Sequence, residues 1–360
     1  MYKKKYLIFS HEFPPRLGGA GQVALDLATE LTRCGHEVIV LTQYYDSLDD
    51  YQFKVIRINV FKKMWFLMYP IFLKSHDLEQ YDQIVLNDAG AIYSAGMVFT
   101  QKDFSKTIVY LHGIERYLFG HGVFPRLILF NRFFLSSLKS CSKIISVSNF
   151  LKSRFFDSNE ILAPLKDKVQ VIHNGVDTKI FYYEDIGVLD EYKKNDPVTI
   201  LSVSRLVACK GYYNMLVYFK QLIDNGCNYK WFIVGDGPYK GFIEDFVTKN
   251  NLDNSVFLLG QIHKSKLRHY YSACDYFWLL SELEESYGLV YMEALACKCI
   301  PIGRNSYGVK EVIKNGINGF LVDHISEVGE ILSKNLTNDF VQNIHYYVNS
   351  VEKAYKVFCD

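Results

Sequence analysis

Short, almost wholly apolar runs recur along this chain, each broken by a turn and followed by a stretch of helical periodicity. Tyr6-Leu7-Ile8-Phe9, Ile84-Val85-Leu86, Thr107-Ile108-Val109-Tyr110, Ile144-Ile145-Ser146-Val147, Val198–Val203, Trp231-Phe232-Ile233-Val234, Val256-Phe257-Leu258-Leu259 and Tyr276–Leu280 share this form. Strands apolar on both sides belong to parallel sheets covered by helices on both faces. Alternation with helical segments such as Val23–Leu31 and Leu289–Ala296 predicts the α/β class. At 360 residues, and roughly 150 per domain, two such sheets are expected. Residues 1–180 would form the first domain and 198–335 the second. Residues 181–197 lose periodicity and gain charge, which reads as a linker, and the tail 336–360 reads as helix packing back on the first domain.

Composition narrows the function classes. A net charge of +1 gives no global signal for nucleic-acid binding. The eight cysteines include no C-x-x-C pair, so no zinc site is expected and they read as reduced thiols in the cores. Met1–Phe9 is short and basic without a signal-peptide core, and no run reaches the roughly 20 apolar residues that span a bilayer. A cytoplasmic protein is expected. Two segments mix aromatic and basic residues, Phe61–Lys74 and Arg116–Lys139. Either suits peripheral contact with an anionic membrane face, and either also suits ordinary helices whose basic side chains snorkel.

The chemistry concentrates at strand ends. Ser281–Cys299 (S-E-L-E-E-S-Y-G-L-V-Y-M-E-A-L-A-C-K-C) carries Glu284 and Glu285 ahead of a helix and Glu293 inside it. A helix opening at the carboxyl end of a parallel strand is where open α/β sheets receive anionic ligands. Its amides near Gly288 and Leu289 could converge with Arg205 and Lys210 on a diphosphate, since Arg offers a fork and Lys a mobile charge. Such donors would replace a metal at the leaving group, and Glu293 could accept ribose hydroxyls. Gly18 and Gly19 lie in a strand-to-helix turn where a backbone approaches a phosphate or sugar, or where only φ > 0 is needed. His112 follows a strand, at a sheet's carboxyl edge, and Ser148 stands where an N-cap is expected.

With these motifs in order, the chain resembles the retaining glycosyltransferases of family 4. The matches are P-P-R-L-G-G-A-G-Q at the first turn, H-N-G-V-D at His173–Asp177, S-R-L-V-A-C-K-G at Ser204–Gly211, V-G-D-G-P at Val234–Pro238 and E-S-Y-G-L-V-Y-M-E-A-L-A-C at Glu285–Cys297. The last carries the family's E-x7-E spacing. The resemblance implies a GT-B fold, two Rossmann-like parallel-sheet domains facing a cleft. It implies transfer of a sugar from a UDP- or GDP-sugar to a glycan or lipid-linked hydroxyl in polysaccharide, lipopolysaccharide or glycolipid assembly, with no cofactor or metal.

By the same resemblance Arg205, Lys210, Gly288, Leu289 and Gly19 would hold the diphosphate, and Glu293 the ribose. Gln261 and Ile262 would face the base, and Glu285 and His112 the reacting sugar. Gly18 and Ser148 would fall on the acceptor side. The chain departs from the pattern at His173, Leu280 and Lys298, and at Tyr307, where a double glycine is common and where the wall near the donor sugar or phosphate would differ. Two other readings stand beside it. One is a dinucleotide-dependent oxidoreductase built on Gly18-Gly19-Ala20-Gly21 or Gly235-Asp236-Gly237, although neither is a clean G-x-G-x-x-G. The other is a catalytically silent sugar- or membrane-binding scaffold of the same fold.

Overall fold

The computed structural model describes residues 2–15, 18–45, 50–61, 64–113, 123–157, 160–334, 341 and 343–359. The chain folds as two compact units: Met1–Asn174 with Val351–Asp360, and Gly175–Ser350. The expected boundaries are corrected accordingly. Residues 181–197 are no free linker but part of the second unit. Phe181 and Leu189 are buried there, and the Tyr192 ring lies 4.6 Å from that of Phe257. Only Val351–Asp360 returns to the first unit. Ile344–Tyr347 belongs to the second, where Val176 donates to the Asn349 carbonyl at 2.9 Å.

Unit 1 is built on seven parallel strands, β1 (Lys5–Phe9), β2 (Glu37–Gln43), β3 (Lys54–Ile58), β4 (Gln83–Leu86), β5 (Thr107–Leu111), β6 (Lys143–Ser146) and β7 (Val169–Val171). Their order is β3-β2-β1-β4-β5-β6-β7. The central strands are buried almost end to end because helices cover both faces. The Ala89–Val98 helix is sandwiched between Trp65–Ser75 and Phe130–Ser140. Tyr93 joins the two, stacked on Phe130 at 5.5 Å and edge-on to Trp65 at 5.5 Å. The Val351–Cys359 helix packs on Gly19–Arg33, and Tyr6 donates to the Phe358 carbonyl at 2.7 Å.

Unit 2 has six parallel strands, β8 (Val198–Val203), β9 (Tyr229–Val234), β10 (Val256–Gly260), β11 (Tyr276–Leu279), β12 (Ile300–Arg304) and β13 (Phe320–Val322), ordered β10-β9-β8-β11-β12-β13. The β8–β11 register covers only Tyr276↔Ile200 and Phe277↔Leu201. Beyond it the strands part, and a side chain takes over from the ladder. Ser202 Oγ donates to the Trp278 carbonyl at 2.7 Å and accepts the Trp231 indole N–H at 2.9 Å. In each sheet the chain reverses direction of strand order at one place, between β1 and β4 and between β8 and β11. Doubly wound sheets bind ligands at that crevice.

One cysteine expectation is overturned. Cys34 and Cys359 form a disulfide, with Cα atoms 5.9 Å apart. Their separation of 325 residues hides the pairing, which exists only because the last helix returns to the first. Cys141, Cys274, Cys297 and Cys299 are buried free thiols, as core use predicts, whereas Cys209 is exposed.

The helix sandwich of unit 1 depends on Gly96, whose added Cβ would lie 1.9 Å from the Phe133 carbonyl oxygen. Gly96→Ala should therefore force the two helices apart and destabilise the fold by about 1–3 kcal/mol. A lower urea midpoint at unchanged slope would register the loss; an unchanged midpoint would show that the crossing gives freely.

Candidate active site

In unit 2 the site grows from close backbone contact at the crevice. Gly211 adopts φ 81°, and a Cβ on it would lie 2.3 Å from the Leu280 carbonyl oxygen. Only glycine lets the turn after β8 approach the end of β11 so closely. The Cys209 carbonyl then accepts the amides of Glu282 at 2.9 Å and Leu283 at 3.1 Å. On the other side the Gly308 amide donates to the Glu285 carbonyl at 2.9 Å, and a Cβ on Gly308 would lie 2.1 Å from the Ser286 carbonyl oxygen. Residues 282–285 are thus held by main-chain bonds from both sides.

This clamp sets Lys210 Nζ 2.5 Å from Glu285 Oε1, with both side chains 17% exposed. The pair is mostly desolvated, so its mutual attraction is stronger than that of a surface pair. Arg205 is exposed and its guanidinium makes no hydrogen bond or ion pair to a described residue. The Leu289–Ala296 helix opens at Gly288, φ 91°, with no side-chain cap, leaving its first amides to water or a ligand. From Tyr291 to Ala296 every residue is buried, so this helix is apolar all round rather than amphipathic. Glu293 is the exception in type, and the Tyr271 hydroxyl donates to its Oε2 at 3.0 Å. Burial pushes the Tyr271 pKa well up, with the Glu293 charge second, so that hydroxyl keeps its proton. Gln261 is exposed and Ile262 half-buried, just past the edge strand β10 and on the far side of β9 from Arg205.

Two glycines serve a different purpose from the one a dinucleotide site would need. Cβ atoms on Gly235 and Gly237 would lie 1.9 Å from the Ser204 carbonyl oxygen and 2.3 Å from that of Leu206. They admit the neighbouring loop, and the Leu206 amide donates to Asp236 O at 2.9 Å. Gly235-Asp236-Gly237 therefore has a packing role inside unit 2. Tyr307 keeps a left-handed φ of 56°, so the chain adopts glycine-like backbone geometry there without a glycine.

In unit 1 a polar network gathers at the β1–β4 crevice. Asp88 caps the Ala89–Val98 helix through Ala91 at 3.0 Å and also accepts the His11 amide. Asn87 donates to Ser10 Oγ at 3.0 Å and to the Ala20 carbonyl at 2.8 Å. Its amide orientation is thereby assigned, and its Oδ1 faces His112 Nε2 at 3.1 Å. His112 must donate from Nε2, its ring stacked on Tyr110 at 5.0 Å. Burial drives its pKa from 6.5 down to about 3. It is a neutral imidazole of one tautomer. The His11 ring meets the Tyr69 hydroxyl through Nδ1 at 2.6 Å. Ser148 is fully buried and caps the Asn149–Phe156 helix through Leu151 at 3.0 Å, the capping role expected of it. Gly18 precedes the Gly19–Arg33 helix, and a Cβ there would lie 2.1 Å from the Glu12 carboxylate, while Gly19 faces open space.

Lys210 and Glu285 are thus brought together, and Arg205 sits in the same loop as Lys210. Gln261 and Ile262 stand apart from them across β9. Asn87, Asp88, His11 and Tyr271 are the residues that motif reasoning passed over. An Asn-Asp pair directly after Ile84-Val85-Leu86 and before a helical run was the available cue for the first two.

A chain with two such sheets, ligand crevices at both reversals and a cation–carboxylate pair at one of them has the architecture of a GT-B glycosyltransferase. Residues 190–337 match the model described as Glycosyl transferases group 1, and 17–180 the model described as Glycosyltransferase Family 4. The chain belongs to glycosyltransferase family 4. The N-acetyl-alpha-D-glucosaminyl L-malate synthase of Bacillus anthracis is 26% identical over 86% of this chain and 81% of its own length. The alpha-monoglucosyldiacylglycerol synthase of Streptococcus pneumoniae is 23% identical over 87% and 74%. The Anabaena protein HepE, solved with UDP and glucose, superposes at a TM-score of 0.78 and 18% identity, covering 99% of this chain and 98% of that one.

The state of His112 is open to measurement. Its folded pKa lies below its unfolded value, so as pH falls the unfolded chain takes up the proton first. The stability its neutral packing contributes is complete above the ordinary value of 6.5 and is lost as pH falls toward about 3. His112→Gln should destabilise unit 1 near pH 7.5, and the gap in Tm from the unchanged protein should narrow toward about pH 5. A gap constant across that range would mean that folding leaves the imidazole unperturbed.

Proposed function

We propose that this glycosyltransferase moves a sugar from a nucleoside-diphosphate sugar to an acceptor hydroxyl with retention of configuration and without a metal. The Lys210–Glu285 pair at the β8–β11 crevice carries the reading. Lys210, the unengaged Arg205 and the open amides after Gly288 bring positive charge and N–H donors to a leaving diphosphate, the task a metal performs elsewhere. Glu293, aligned by Tyr271, would take the ribose hydroxyls, and backbone near Gln261 and Ile262 the base. Glu285 would face the sugar. Lys210 would turn from it toward the diphosphate when donor binds, leaving the carboxylate to stabilise the positive charge that develops at the anomeric carbon.

The bond from that carbon to the diphosphate oxygen breaks as the acceptor oxygen bonds on the same face. The acceptor proton passes to a diphosphate oxygen, so no protein nucleophile is required. The neutral His112 would serve as a hydrogen-bonding wall in unit 1, where Gly19 leaves open space for the acceptor while the Glu12 carboxylate fills the space beside Gly18. That the Anabaena protein holds UDP and glucose supports a UDP-sugar as the first donor to try.

A panel of UDP-, GDP- and ADP-sugars is expected to yield one class that raises Tm and is turned over. With that donor, Glu285→Gln should lower kcat by roughly tenfold or more at little change in donor KM. Full turnover by the variant would end the role given to Glu285. A donor that binds but is neither transferred nor hydrolysed would favour the silent scaffold.

For the acceptor we propose a lipid-linked or glycolipid substrate met at an anionic cytoplasmic membrane face. Met64, Leu67 and Ile71 form an exposed apolar stripe at helical spacing, with exposed Lys74 following. Val123, Leu127 and Leu129 are exposed beside Arg126 and Arg132. Lys62, Lys63 and residues 116–122 of the two aromatic-basic segments lie outside the described residues. Among the described residues no helix is long and apolar enough to cross a membrane. The similarity to a synthase named for glucosylated diacylglycerol agrees with a lipid acceptor. Co-sedimentation with phosphatidylglycerol vesicles should be strong at low salt, weaken as salt rises, and drop when Leu67 and Ile71 become Ser. Equal recovery with neutral vesicles at every salt concentration would refute the anionic surface.

A further inference from the structure

We propose that Cys34, Cys359 and Glu30 bind one thiophilic divalent cation of the Zn²⁺ class when the chain is reduced, and that this ion and the disulfide are alternative fastenings of the C-terminal helix to unit 1. Glu30 and Cys34 stand four residues apart in the Gly19–Arg33 helix and so share a face. Cys359 ends the Val351–Cys359 helix packed against it. The two sulfurs and a Glu30 carboxylate oxygen lie within 4.8 Å of one another.

The carboxylate is the observation that points beyond a plain disulfide. Glu30 is only 7% exposed; its Oε1 faces Cys34 Sγ at 4.0 Å, and its Oε2 is buried without a hydrogen bond. Arg33 is its ion-pair neighbour, at 3.5 Å from that oxygen. An acceptor left in this condition carries a desolvation cost that a coordinated cation would remove. In the disulfide form both sulfurs are neutral and offer the carboxylate nothing. In the reduced form, ionising both thiols beside Glu30 would set three negative charges against the single, partly exposed Arg33, an excess that a divalent cation joining the three would offset.

His36 supplies the framework without being a ligand. Its Nδ1 accepts the Lys4 amide at 3.3 Å, so Nε2 carries the proton and donates to the Cys359 carbonyl at 3.2 Å. Both ring nitrogens are thereby used, and the Cys359 backbone is held beside Cys34. Two thiolates and one carboxylate, with a fourth position for water beside the half-buried Cys34, select Zn²⁺ over Mg²⁺ or Ca²⁺. Tetrahedral Zn–S bonds of about 2.3 Å place the sulfurs about 3.8 Å apart. Neighbouring helices that already bring the two Cα atoms to 5.9 Å can accommodate that separation by side-chain rotation.

The exchange balances with a cellular thiol reductant. Two electrons and two protons from that reductant, itself oxidised to a disulfide, open Cys34–Cys359 to two thiols. Zn²⁺ then displaces both protons to solvent and gains two Zn–S bonds and one Zn–O bond. Nothing in this depends on which sugar the enzyme transfers.

The test uses the full chain, made metal-free and kept reduced by a phosphine. One equivalent of Zn²⁺ should survive desalting and raise Tm. Cys34→Ser and Cys359→Ser should abolish both effects, and Glu30→Gln should weaken the affinity roughly tenfold or more. The air-oxidised chain should retain none. If the reduced chain holds no more Zn²⁺ than the Cys359→Ser variant, or the oxidised chain holds as much, the site does not exist. Should the serine variants fail to fold, alkylation of the unaltered reduced chain decides. Zn²⁺ should shield Cys34 and Cys359 while the exposed Cys209 labels at its usual rate, and unshielded Cys34 and Cys359 would overturn the proposal.

Discussion

Two amides, of Glu282 and Leu283, share the Cys209 carbonyl, and the organisation of unit 2 follows from that contact. It requires the turn after β8 to touch the end of β11, which requires a residue without a Cβ at Gly211. Once the two loops are joined through main chain, Lys210 and Glu285 have little freedom to be anywhere but together. Main-chain bonds cost less side-chain entropy than a chain of side-chain contacts, so the pair is preorganised before a ligand arrives. The parting of β8 and β11 just below, where Ser202 and Trp231 replace the ladder, supplies the gap that the two loops then roof.

Unit 1 solves the same topological problem with different chemistry. Its crevice is governed by Asp88 and Asn87, whose side chains fix backbone amides and select one tautomer of His112. Unit 2 thus presents a cation–carboxylate pair, and unit 1 a hydrogen-bonded network around the Asp88 carboxylate.

The two sheets were legible because fully buried parallel strands read as apolar runs, whereas the strand order and its reversals had no signal in the sequence. The E-x7-E spacing located Glu285 and Glu293, since it places one acid before a helix and one inside it. Motif spacing does not describe partners. That Lys210 meets Glu285 across 75 residues, and Tyr271 meets Glu293 across 22, depends on which loops abut. Residues 181–197 looked like a linker because charge dominates that stretch, although Phe181, Leu189 and Tyr192 are the residues that anchor it to unit 2. The disulfide was hidden for the same reason as the ion pair: single cysteines carry no spacing signal, and only the returning helix joins them.

The return of Val351–Cys359 also has a consequence for the time at which unit 1 can exist. Unit 2 is an insertion within unit 1, entered after Asn174 and left at Val351. The hydroxyl of Tyr6, on the first strand, donates to the carbonyl of Phe358. At roughly 5–20 residues per second, Phe358 leaves the ribosome some tens of seconds after Tyr6. During that interval the N-terminal sheet lacks its last covering helix, while unit 2 can finish folding as soon as its own residues are out. The order of synthesis and the order of completion are thus opposed: the unit begun first is sealed last, and its unsealed face is the one a chaperone would meet.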